Sequence, residues 1–128
     1  MNQAIFILYV KDQNRSRDFY KSVLNIEPVL DVPGMTEFKI NDYTKLGIMP
    51  EEGIAKILGK EVPHPETGNG IPRCEIYLYT DSLQEYIDRV VAAGGKLIAN
   101  LELRSWGEEA AYGADPDGHI IAFAKEKE

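Results

Sequence analysis

Glu75, Tyr77 and Tyr79 stand at alternate positions of one short segment and carry the side chains best suited to chemistry in this 128-residue chain. Successive side chains of an extended strand point to opposite faces, so these three share one face while Ile76, Leu78 and Thr80 share the other. The apolar set is expected to meet the helices, which turns one carboxylate and two phenols toward a cleft. A carboxylate beside apolar walls is driven toward a raised pKa and can act as a general base, or else it binds a cationic group. Phenol rings stack on planar ligands and attract cations to their faces. The structural alternative makes Glu75 a rim carboxylate balanced by Arg73, with the tyrosines packed on neighbouring strands and their hydroxyls in water. Nearer the N-terminus Ile5, Ile7 and Tyr9 alternate in the same way, which adds Tyr9 to the expected aromatic face.

Other chemistries find little support. No serine or cysteine has a histidine placed beside it in sequence to activate it, and no glycine motif of the phosphate-cradling kind is present. The single Cys74 cannot form an intramolecular disulfide and is expected to pack as a small hydrophobe. The Cys and His spacing of a zinc ligand set is missing. His119 follows an Asp-Gly turn and reads as structural, whereas His64, between Pro63 and Pro65, reads as solvated.

The elements that must position these residues come in two similar runs, the second starting about 70 residues after the first. Ile5 to Val10 is a continuous apolar strand that hands over at Asp12 to a helix. Phe19, Tyr20, Val23 and Leu24 form the apolar stripe of that helix, which ends near Asn25. Pro28 to Asp31, Glu37 to Ile40 and Lys45 to Met49 follow as strands. From Pro50 to Arg73 the pattern lapses into a long connection with a helical turn at Ile54 to Leu58. Glu75 to Thr80 then repeats the opening strand, and Thr80 or Asp81 caps a helix bearing Leu83, Tyr86, Ile87, Val90 and Val91, closed by Gly94-Gly95. Lys96 to Leu103, Glu108 to Ala114 and His119 to Ala124 are the closing strands, the last two joined across Asp115-Pro116-Asp117-Gly118. The reading is a single α+β domain over residues 1–128, with one module at about 3–50, a connection at about 51–72 and a second module at about 73–126. Neither module can bury its own sheet and close a pocket alone, so two side by side are expected to make a cradle.

A formal charge of −7 repels phosphate backbones and anionic lipid, which argues against nucleic acid and membrane partners and favours cationic small molecules. The apolar run Ala4 to Val10 is too short for a membrane span and has no basic leader, so a cytoplasmic protein is expected.

Trp106-Gly107, Ala111-Tyr112 and Asp115-Pro116-Asp117-Gly118-His119 running into an apolar strand resemble the C-terminal signature of the vicinal oxygen chelate superfamily. That superfamily includes glyoxalase I, bleomycin-resistance proteins, fosfomycin-resistance enzymes and extradiol dioxygenases. Val10, Asp12, Ser16, Phe19 and Tyr20 are similar to its first helix junction, and Gly47-Ile48-Met49-Pro50 to its fourth strand. The resemblance implies two βαβββ modules forming an open, eight-stranded cradle with a cleft on the concave side, commonly in a homodimer, at times with exchanged modules. Metal-dependent members hold a divalent ion on their first, fourth, fifth and eighth strands. Matched strand by strand, those positions fall on Ile5, Gly47, Glu75 and Ala122, of which Glu75 alone can coordinate, so what the resemblance implies here is no bound metal and no cofactor. The resemblance also places Trp106 on the cleft wall, a hydrophobic plug being the alternative.

Two classes of function are carried forward. One is a metal-independent protein, nearest to the bleomycin-resistance branch, that sequesters a small organic molecule such as a drug or metabolite. A planar, cationic aromatic ligand would suit Tyr9, Glu75, Tyr77, Tyr79 and Trp106. The other is a glyoxalase-like lyase or isomerase, either metal-dependent or metal-free with Glu75 as base.

Overall fold

The computed structural model describes residues 1–126. The first module is β1 (Ala4–Val10), α1 (Gln13–Leu24), β2 (Leu30–Val32), β3 (Met35–Asn41) and β4 (Thr44–Pro50). The connection holds α2 (Glu51–Leu58) and 3₁₀ turns at Gly59–Glu61 and Pro65–Gly68. The second module is β5 (Glu75–Tyr79), α3 (Leu83–Ala92), β6 (Lys96–Leu103), β7 (Glu109–Ala114) and β8 (Ile120–Ala124). Each module builds one four-stranded sheet, ordered β1-β4-β3-β2 and β5-β8-β7-β6, so the repeat seen in sequence is a repeat of topology. In both sheets the first strand lies parallel to the last and the remaining pairs are antiparallel.

Helix α1 begins and ends where its residues direct. Asp12 is extended and its carboxylate accepts the Arg15 N–H at 3.0 Å, while Asn25 takes the left-handed conformation at φ 55° that stops the helix. The stripe Ser16, Phe19, Tyr20, Val23 and Leu24 is buried. Helix α3 differs from expectation at its start: Ser82 occupies the cap position, and Thr80 Oγ1 accepts the Ser82 N–H at 3.0 Å and shapes the turn before it. Ile87 and Val90 are buried, whereas Val91 is exposed on the flank of the stripe. The connection is more helical than its prolines and glycines suggest. Pro50 supplies an extended entry to α2, after which one apolar side chain, Ile54, is anchored while Ile57 stays exposed.

Val10, Phe38, Ile48, Ile121 and Phe123 turn the helix-facing sides of both sheets into one core with Phe19, Tyr20 and Val23 of α1 and Val90 of α3. The β7–β8 turn fastens the second module to the first. Asp117 accepts the Lys11 N–H at 2.9 Å and the Ser16 hydroxyl at 3.1 Å, and it pairs with Arg15 at 3.2 Å. Gly118, at φ 89°, lets that turn close. At Gly95 a Cβ would stand 2.5 Å from the Ala114 carbonyl oxygen and 2.9 Å from both Phe19 and Val90, so only glycine fits there. No helix among the described residues is long and apolar enough to cross a membrane.

Candidate functional site

On the face of the second sheet turned away from the core, Glu75, Tyr77 and Tyr79 of β5 lie in register with Ile120, Ala122 and Ala124 of β8, and these with Ala114, Tyr112 and Ala110 of β7. Small alanines on the two inner strands leave the tyrosine rings room to lie across the sheet. Trp106, in the turn between β6 and β7, joins them. The Tyr77 hydroxyl donates to Glu108 Oε1 at 2.8 Å, the Tyr79 hydroxyl to the same oxygen at 3.3 Å, and Trp106 Nε1 to it at 3.2 Å. Trp106 Nε1 also lies 3.1 Å from the Tyr77 oxygen. The rings of Tyr77 and Tyr79 meet edge to face at 5.5 Å, and Tyr77 and Trp106 stand 6.5 Å apart at a tilt.

This arrangement fixes protonation as well as shape. Burial pushes the Tyr77 phenol pKa up, against a lowering by the Trp106 N–H, and the Glu108 carboxylate raises it further. For Tyr79 the hydrogen bond to Glu108 is the main cause of an upward shift. Both phenols are therefore held as donors at neutral pH. Glu108 is 9% exposed, while Tyr79 and Trp106 are 52% and 50% exposed, so the charge sits behind a wall of rings that faces solvent.

Glu75 stands on the same face as Tyr77, exposed, with no hydrogen bond or ion pair to any described residue. Its charge is felt by Tyr112, whose phenol is pushed up first by burial and then by Glu75. Arg73 does not balance Glu75: its guanidinium reaches the Ile71 carbonyl at 3.2 Å and the His119 ring at 3.1 Å. Cys74 is exposed rather than packed as a core residue, with its sulfur 3.7 Å from His119 Nδ1. Burial and the nearby Asp115 push the thiol up, away from the reactive thiolate form. His119 itself is buried and its Nε2 lies 3.0 Å from the Tyr9 carbonyl oxygen.

Tyr77, Tyr79 and Trp106 are thus brought together, with Glu75 beside them. Tyr9 is not in that group; it lies on β1 in the other sheet, opposite Met49, and shares no hydrogen bond or ring contact with the three. The edge strands β1 and β5 flank a groove of about 380 Å³ lined by Phe6, Ile7, Leu46, Cys74, Glu75 and Tyr77. Glu108 was not singled out by sequence reasoning. The same alternation that places Ala110 and Tyr112 on this face extends back to it, which was the available signal.

The four strand positions that the resemblance matches to metal ligands do not fit an ion. A Cβ on Gly47 would meet Ile7 Cγ1 at 3.0 Å and Ile5 Cγ2 at 3.1 Å, so aliphatic side chains fill the space a ligand there would need. On β8 the matched residue is the fully buried Ala122, which leaves Glu75 as the lone donor of the four. Among the described residues, one group of three metal-binding side chains does converge, Glu51, His64 and Glu66, and it lies in the connection.

The glyoxalase-like domain family matches residues 3–127. A glyoxalase-related enzyme from Fulvimarina pelagi is 25% identical, with a TM-score of 0.79 over 96% of this chain and 86% of that chain. A glyoxalase/bleomycin resistance protein/dioxygenase family enzyme from Burkholderia phytofirmans PsJN, at 12% identity, has the same fold, with a TM-score of 0.76 over 94% of this chain and 95% of that one. So does a lactoylglutathione lyase from Agrobacterium tumefaciens, at 21% identity and a TM-score of 0.70 over 94% and 90%. No curated protein matches the chain.

Proposed function

We propose, from the premise that this chain belongs to the glyoxalase-like domain family of the vicinal oxygen chelate superfamily, that it binds and sequesters a small planar, cationic organic molecule without a metal in the cleft. The convergence of Tyr77, Tyr79 and Trp106 on one oxygen of Glu108 carries this reading. Three donors on one carboxylate hold the rings in a fixed wall before a ligand arrives, so little ordering is lost on binding. A cation set against these rings gains from their faces and from the buried negative charge behind them. Glu75, exposed at the groove, would add a direct charge contact. The working unit would be a homodimer in the cytoplasm: Ile5, Ile7, Leu30 and Val32 leave apolar surface exposed on the first sheet, which a second copy could cover.

The test is a titration followed by the fluorescence of Trp106, the only tryptophan in the chain. A cationic aromatic compound should bind and shift the emission, and a neutral analogue of the same shape should bind more weakly. Equal affinity for the two would remove the electrostatic half of the reading. A lyase or isomerase of the metal-dependent kind is disfavoured by Ile5, Gly47 and Ala122, which offer no donor. The metal-free enzyme reading rests on Glu75, a carboxylate free of ion pairs beside an aromatic wall, acting as a base. Turnover that Glu75→Gln abolishes while binding persists would replace sequestration with catalysis.

A further inference from the structure

We propose that the connection between the modules holds a divalent first-row transition-metal ion of the Zn²⁺ class on Glu51, His64 and Glu66. Glu51 is the first residue of α2, and the other two belong to the 3₁₀ turn at Pro65–Gly68 that His64 caps. One ligand atom from each lies within 4.8 Å of the other two. Zinc bonds of about 2.0–2.2 Å draw ligand atoms closer than that, so small side-chain rotations complete the site.

The independent sign is the state of Glu51. It is 4% exposed, its Oε1 meets no hydrogen-bond partner among the described residues, and its Oε2 has one long contact, 3.4 Å from Asn69 Nδ2. A carboxylate buried in that state is costly unless a cation answers it. The histidine is set up to supply the second ligand. His64 Nδ1 accepts the Glu66 N–H at 3.1 Å, and Nε2 faces Glu52 Oε1 at 3.4 Å. Metal on Nδ1 displaces the Glu66 N–H, which belongs to an exposed residue and can turn to water. The ring keeps its proton on Nε2 and donates it to Glu52, the carboxylate-histidine-metal arrangement that orients an imidazole ligand. One nitrogen and two carboxylates, with water in the fourth position, suit Zn²⁺ and its first-row neighbours better than Ca²⁺ or Mg²⁺. The ion would pin α2 to the 3₁₀ turn. None of its three ligands belongs to a strand of either sheet, so the proposal stands independently of the sequestering function.

The 128-residue protein, stripped with chelator and then dialysed against micromolar ZnCl₂, is expected to retain one equivalent by elemental analysis and to gain thermal stability as zinc rises. His64→Asn and Glu51→Gln should lose the ion. Glu66→Gln, on an exposed residue that puts no packing at risk, should weaken binding at least about tenfold, and this variant decides the matter where Glu51→Gln fails to fold. Glu75→Gln should retain full uptake. No uptake by the wild type, or uptake unchanged in both Glu66→Gln and Glu51→Gln, would overturn the proposal, the latter by placing the ion elsewhere.

Discussion

The Tyr20 hydroxyl donates to Asp115 Oδ2 at 2.7 Å, joining the first helix to the last turn across 95 residues. Both groups are buried, and the other Asp115 oxygen already accepts the N–H groups of Asp117 and His119 at 2.9 Å. The carboxylate that shapes the β7–β8 turn therefore also holds the modules together.

Tyr20→Phe should destabilise the protein by about 1.5–3 kcal/mol, the usual worth of a hydrogen bond to a charged group, because Asp115 Oδ2 loses its partner in a dry site. Urea denaturation at neutral pH measures the loss. A value below the error of the measurement would mean that water replaces the hydroxyl.

Alkaline pH should weaken the fold, and Tyr20 should carry part of that slope. Burial, and then Asp115, push its phenol well above the ordinary 10.0. The folded state therefore keeps the proton after the unfolded state has lost it. The stability Tyr20 contributes is constant below about pH 10 and falls as pH rises beyond it. Denaturation midpoints taken from pH 8 upward should fall less steeply in Tyr20→Phe than in the wild type.

Gly95→Ala should cost about 2–4 kcal/mol or prevent folding, since its Cβ would press on the Ala114 carbonyl, which is backbone and cannot rotate aside. The thermal midpoint reports it directly. Gly34→Ala is the contrast: nothing lies within 4 Å of its Cβ, so any loss there comes from φ 97° alone.

Glu75→Gln should weaken binding of a cationic aromatic compound by about 1–3 kcal/mol, with the thermal midpoint nearly unchanged because Glu75 makes no hydrogen bond that folding depends on. Calorimetric titration alongside a melting curve separates the two effects. Cation binding unaffected by the substitution would return Glu75 to the role of a rim carboxylate.

Tyr77→Phe should alter Trp106 emission and loosen the aromatic wall more than Tyr79→Phe does. Tyr77 makes the shorter bond to Glu108, 2.8 Å against 3.3 Å, and it alone also contacts the Trp106 N–H. Fluorescence spectra of the two variants without ligand make the comparison.

Helix α1 was legible almost to the residue because Asp12, the 3.6-residue stripe and Asn25 all state the same boundaries. The face shared by Glu75, Tyr77 and Tyr79 followed from alternation alone. Helix α2 was legible only in its second half, the turn at Ile54 to Leu58, because its eight residues include Gly53 and bury one apolar side chain, Ile54, too few to show a period. Glu108 escaped notice for a different reason: an acid at the start of a strand after a turn looks solvated, and its burial comes from three rings that reach it from 2 to 31 residues away. The grouping of Glu51 with His64 and Glu66 depends on how the connection folds back, which no spacing encodes.

Pairing each module's first strand with its last has a consequence for the order of events during synthesis. β1 cannot find its neighbour until β4, some 40 positions later, has emerged, and β5 must wait in the same way for β8. The ties from Lys11, Ser16 and Tyr20 to the β7–β8 turn span 106, 101 and 95 residues. A nascent chain therefore holds the apolar β1 unpaired until β4 has been made, and loops of this length make closure slow. The hairpin that locks the first helix in place is made some 100 residues after that helix.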